Sequence, residues 1–252
     1  GIGNYALDGL TSGDANVAIG YNAMSASVTG GQNTAVGNSA MEVLTTGATN
    51  TAVGYVSLDA LTTGSNNTAV GWSALGATTT ANDNTAVGKN SLLTNTTGYS
   101  NTAIGIYSLR QNTTGDNNVA VGQSALLNNT TANSNTSVGY NSMYTNTTGA
   151  NNVAMGIQAL YSNTTADNNT AVGRDALYTN TTGADNTAVG RGALVQNTTA
   201  SNNTAVGKDA LGDNTTGADN VAVGMNALEV NTTGQRNVAI GKDALKSNDD
   251  GG

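Results

Sequence analysis

A glycine recurs every 17 residues along the chain, at positions 3, 20, 37, 54, 71, 88, 105, 122, 139, 156, 173, 190, 207, 224 and 241. No insertion or deletion interrupts these 15 registers. A unit of this length cannot bury a core by itself, and a pair of helices with its turns needs roughly 30 residues or more. The unit must therefore stack on its own copies, and not as a helical hairpin. With this glycine as position zero, the consensus is N-[TV]-A-[VI]-G-x-x-[AS]-[LM]-x-x-N-T-T-[GA]-x-x.

Within the unit, Thr or Val and Val or Ile alternate with Asn, Ala and Gly. Period two with β-branched residues on one face predicts a short strand. The Gly then bends the chain. Ala/Ser followed by Leu/Met predicts a second buried point, and Asn-Thr-Thr-Gly predicts a strand edge running into a turn. One unit is then one coil, each strand pairing in parallel with its copy 17 residues on. The expectation is an all-β chain, a parallel β-solenoid (β-roll) of about fifteen 17-residue coils. The chain has no Pro, which suits stacked strands because Pro removes a ladder hydrogen bond. We expect residues 1–252 to form a single solenoid domain. With no Met at its start and no capping element at either end, it reads as an interior piece of a longer fibre.

Two rows are expected to fill the coil. One is the residue before the glycine (Val36, Val70, Val121, Val172, Val206), and the other is the Leu/Met four after it (Leu75, Leu126, Leu177, Leu228). Ala stands two before the glycine in every copy except Gly1 and Ser137. On an alternating strand this Ala faces opposite the Val. Burying two large side chains per coil contributes roughly 3–6 kcal/mol. Ordering 17 backbone residues costs about 17–34 kcal/mol. A thin coil alone is therefore marginal, and the Ala row is expected to pack against another chain.

The N-[TV]-A-[VI]-G-x-x-[AS]-[LM] unit resembles the head repeats of trimeric autotransporter adhesins and is similar to repeats in phage tail fibres. Matching stretches include Asn118-Val119-Ala120-Val121-Gly122 with Ala125-Leu126, and Asn237-Val238-Ala239-Ile240-Gly241 with Ala244-Leu245. The likeness runs along essentially the whole chain, although the unit is a few residues longer than in familiar adhesin heads. The resemblance implies a left-handed roll, assembly as a homotrimer, and an extracellular place on a cell or virion surface. It also implies exposed loops that meet a surface glycan or protein receptor.

Composition narrows the chemistry. With no Cys there are no disulfides or thiolate metal sites, and with no His the usual general base is missing. Sixteen acids against eight bases argue against nucleic acid, whose phosphates need Lys and Arg. No apolar run approaches about 18 residues, so no membrane span is expected in this segment. No coil breaks the pattern with a cluster of acids, as a catalytic site would require. We expect no enzyme activity and no cofactor. Single acids near the turns (Asp83, Asp116, Asp167, Asp185, Asp219) lack the dense Asp/Gly spacing of calcium-binding repeats.

Three rows remain as candidates for structure or binding. Asn four before the glycine occurs in all 14 copies: Asn16, Asn33, Asn50, Asn67, Asn84, Asn101, Asn118, Asn135, Asn152, Asn169, Asn186, Asn203, Asn220 and Asn237. Its completeness predicts a structural ladder of stacked amides. Asn-Thr-Thr recurs nine times from Asn95 to Asn231. In extended geometry Asn95 and Thr97 share one face while Thr96 takes the other. The stack would then display Thr97, Thr114, Thr148 and Thr182, an array that resembles the flat Thr surfaces of ice-binding solenoids. Each triplet also satisfies the N-glycosylation sequon. Five after the glycine, Tyr144, Tyr161 and Tyr178 stand in three successive coils and predict a tyrosine strip that serves either as a sugar-binding surface or as cover for an apolar edge. Before Asn95, the position seven after the glycine holds Leu10, Ser27, Leu44, Leu61 and Thr78, so this corner is expected to turn inward or to pack on another chain.

Overall fold

Each Thr/Val-Ala-Val/Ile triplet forms a three-residue strand, from Val17–Ile19 to Val238–Ile240. The structure is a computed structural model and describes residues 1–248. Among the described residues there are fourteen strands and no helix. The tail Ser247-Asn248-Asp249-Asp250-Gly251-Gly252, whose Asp-Asp in place of Thr-Thr suggests an exit from the repeat, lies outside the described residues from Asp249 on.

The chain divides into two compact units, Gly1–Ser124 with Asn129–Thr131, and Ala125–Asn128 with Ala132 onward. In the first unit the strands from Val17–Ile19 to Val119–Val121 pair in parallel, each with its copy one repeat on, as in Thr85↔Thr102 and Ala86↔Ala103. In the second unit the strands from Thr136–Val138 to Val238–Ile240 pair in the same way, as in Thr170↔Thr187 and Ala171↔Ala188. Backbone bonds also join coils away from the strands. Leu177 N–H donates to the Ala193 carbonyl at 3.0 Å, and Thr181 N–H to the Thr198 carbonyl at 2.9 Å. Each unit is thus a parallel β-solenoid.

The chain turns three times per coil at left-handed residues. After Gly173 these are Asp175 (φ 58°), Leu177 (φ 52°) and Asp185 (φ 57°). Asp and Asn suit this conformation because their short polar side chains bond locally. Leu does not, and pays about 1–2 kcal/mol there. Full burial of a leucine side chain contributes roughly 1.5–3 kcal/mol, which offsets that cost. Leu75, Leu126, Leu177 and Leu228 are all completely buried, as expected.

The other half of the expected core is inverted. The Ala row, not the Val row, faces inward: Ala35, Ala69, Ala120, Ala171 and Ala205 are completely buried within their own chain. Val36, Val121 and Val172 are half-buried, and Val70 and Val206 are 37% exposed. The reason is width. The residue at the Ala position and the one three after the glycine face each other across a thin interior. Where Ser137 replaces Ala, its Oγ donates to the Ser142 carbonyl at 2.9 Å. A β-branched side chain does not fit so narrow a gap, so Val sits on the outer face. There it shares the surface with the Thr or Val two residues earlier. The Ala row is consequently sealed inside its own coil and does not meet another chain.

Candidate functional site

The Asn row four before the glycine is an interior ladder. Asn33 through Asn220 are completely buried, while the end members Asn16 and Asn237 are half-buried. Asn169 shows the scheme. Its Nδ2 donates across the coil to the Gly183 carbonyl at 2.9 Å and to the Asp167 carbonyl at 3.2 Å. Its Oδ1 accepts from the Asn186 backbone N–H at 3.0 Å and from Asn186 Nδ2 at 3.2 Å. In the first unit Asn50 bonds in the same way to Asn33 Oδ1 and to the Gly64 carbonyl. These amides hold coils together, and from Asn33 to Asn220 they face no solvent.

A second ladder escaped the sequence reading. The Asn of each Asn-Thr-Thr, from Asn95 to Asn231, is also completely buried. Asn180 Nδ2 donates to Asn163 Oδ1 at 3.3 Å and to the Gly183 carbonyl at 2.9 Å. The two ladders therefore meet on one carbonyl per coil. The segment is bent and not extended, so Asn95 and Thr97 do not share a face: Asn95 is buried and Thr97 is exposed. The signal was present in the earlier coils. Leu44, Leu61 and Thr78 occupy the same position and are buried too, so the corner turns inward from Leu44 on, whereas Leu10 and Ser27 in the first two coils are exposed.

Thr97, Thr114, Thr148 and Thr182 are exposed, as expected. The preceding threonines are occupied otherwise. Thr181 Oγ1 donates to the Thr198 carbonyl at 3.1 Å, and Thr198 Oγ1 to the Thr215 carbonyl at 3.1 Å. These hydroxyls spend their one donor on the neighbouring coil and keep only acceptor capacity for solvent.

Tyr144, Tyr161 and Tyr178 form a stack. Ring centroids lie 5.3 Å apart between the first two and 5.2 Å between the last two, with interplanar angles of 6° and 15°. Burial raises the Tyr161 phenol above its ordinary range, and Tyr144, Tyr178 and Tyr140 push it the same way. No family model and no curated protein matches the chain.

Just after the spacing glycine, Arg174 Nε lies 3.1 Å from Asp175 Oδ2, Lys208 Nζ 3.0 Å from Asp209 Oδ2, and Lys242 Nζ 3.7 Å from Asp243 Oδ2. Arg191 reaches Asp209 of the next coil at 3.5 Å. Such exposed pairs stabilise little. The turn acids bind the preceding coil: Asp116 Oδ1 accepts from Tyr99 N–H at 2.9 Å and Asp167 Oδ1 from Ala150 N–H at 2.7 Å. Asp83, Asp185 and Asp219 accept from Asn66, Asn168 and Asn202 at 3.1, 3.2 and 3.1 Å. Among the described residues no three His, Cys, Asp or Glu side chains gather to hold a metal. No helix among them is long and apolar enough to cross a membrane.

Proposed function

We propose that this chain is a non-enzymatic segment of an attachment fibre on a cell or virion surface, in which three copies pack side by side. The observation that carries this reading is the outer Val/Ile/Met row of each unit. Val70 and Val206 are 37% exposed, Ile104 40% and Met155 45%. Contiguous apolar rows are uncommon on a lone soluble chain and mark contact surfaces. The interior is closed within one chain, so the outer face is the place for a partner copy. The number three comes from the likeness of the repeat to adhesin heads. The chain lacks His and Cys, and its polar rows run from coil to coil with no coil set apart for a reaction. Its variable outward positions then meet a surface glycan or protein.

Sedimentation equilibrium is expected to report three chains per particle, and a stable monomer would sink the reading. A Val172→Lys, Val206→Lys double variant is expected to give a monomer with an unchanged strand spectrum. It buries no charge, because both side chains point out of the coil. Loss of folding instead would place these residues inside.

A second reading, an ice-binding solenoid, is favoured by one row. Thr34, Thr51, Thr68, Thr85 and Thr102 stand in register on the outer face of five successive strands. Strand spacing sets them about 4.7–4.9 Å apart. If that row binds ice, the protein will inhibit ice recrystallisation and Thr68→Lys will abolish the effect. The fibre reading expects no inhibition in either protein.

A further inference from the structure

The tyrosine stack ends in a notch. Five after the glycine, the row runs Tyr144, Tyr161, Tyr178 and then shrinks to Val195 and Gly212. Tyr161 has a ring on both sides, at 5.3 and 5.2 Å. Tyr178 has a ring on one side only, and the next residue in its row is the shorter Val195. One coil on from Asp175, the second row also drops, to Gly192. An open cavity of about 290 Å³ results, lined by Gln158, Arg174, Asp175, Tyr178 and Val195.

We propose that this notch binds one neutral pyranose ring of a glycan. A pyranose has an apolar C–H face and a rim of hydroxyls. The Tyr178 ring and Val195 offer an apolar wall and floor for the first. The Gln158 amide, the Asp175 carboxylate and the Arg174 guanidinium supply donors and acceptors for the second. Ligand sites generally join an apolar lining to a few placed polar groups, and this volume lies at the small end of their range. It takes one ring with its neighbours lying outside. Arg174 and Asp175 neutralise each other at 3.1 Å, so the site has no net charge with which to select a sialic or uronic acid. A single shallow site binds weakly. Three copies on one particle would raise the avidity by about 10²–10⁴ where the glycan is dense.

The inference rests on the attachment reading for its use, but not for the binding itself, which needs one chain only. Saturation-transfer NMR with methyl glucoside, galactoside and mannoside is expected to show contact of at least one sugar with the protein. Val195→Tyr continues the stack and fills the notch. It is expected to weaken that sugar about tenfold or more, with melting temperature and particle mass unchanged. Tyr178→Ala should weaken it similarly, whereas Tyr144→Ala, at the far end of the stack, should not. No contact with any of the three sugars would overturn the proposal, as would binding that survives Val195→Tyr or a preference for sialyllactose over all neutral sugars. A trimer that binds no sugar sinks the notch alone, and a sugar-binding monomer sinks the trimer alone.

Discussion

Replacing Asn169 by Ala is expected to lower stability by about 1–3 kcal/mol, read as a drop in the denaturant midpoint at pH 7. The amide ties the Gly183 segment of its own coil to Asn186 of the next coil. Without it the Asn186 backbone N–H loses its acceptor and the Gly183 carbonyl loses one of its two amide donors. Both sites are dry, and a buried unpaired group costs about 1–3 kcal/mol. The isosteric Asn169→Asp is a sharper test. Its carboxylate keeps an acceptor for Asn186 but turns a second oxygen toward the Gly183 carbonyl. Burial without a cation raises the folded-state pKa above the ordinary value of about 3.9. The folded variant then holds its proton more tightly than the unfolded chain. Its stability is greatest below that ordinary value and falls as pH rises through the raised one. Thermal melting of Asn169→Asp is therefore expected to improve from pH 7 to pH 5 relative to the parent chain. A flat difference across that range would show that the amide is exposed to water.

Gly105→Ala is expected to break its solenoid outright, with loss of cooperative melting or a fall of more than about 3 kcal/mol. Two costs coincide. The backbone stands at φ 132°, a region that side-chain-bearing residues enter only at about 1–3 kcal/mol. The added Cβ would also lie 2.5 Å from the Gly122 carbonyl oxygen and 2.7 Å from its carbon. These are backbone atoms held by the next coil, so neither can swing aside. Gly76→Ala is the control. Its backbone is not left-handed, and the added Cβ would meet nothing nearer than Leu93 Cδ1 at 3.2 Å, the far end of a flexible side chain, so a change below about 1 kcal/mol is expected. Equal damage from both substitutions would mean that the spacing glycine has no special backbone role.

Much of this architecture was legible before any coordinates. The 17-residue interval gave the coil, β-branched alternation gave the strand, and the complete Asn row gave the first ladder. Facing was not legible, because alternation separates two sides without saying which is inward. Two clues pointed the right way. The Ala position varies only to Gly1 and Ser137, both small as a tight interior demands, whereas the Val position admits Ile and Met155. The Thr that shares the Val side would leave its hydroxyl unpaired in a sealed core. The second ladder was hidden for a related reason. Asn replacing Leu at a corner reads as a turn to solvent, yet stacked amides satisfy one another and make the corner as dry as leucine does. The binding notch depends on where a row of side chains stops, and no repeat consensus records that.

Because the strand and the first Asn ladder present the same donors and acceptors from one coil to the next, a coil can follow any other of its own kind, with Leu or with Asn at the corner. Misaligned recombination between near-identical gene segments, provided it slips by whole units, would restore every row to register. The reach of such a protein can therefore drift between lineages by counted coils without passing through an unfolded intermediate form. A slip of any other size would shift every inward side chain at once and be eliminated.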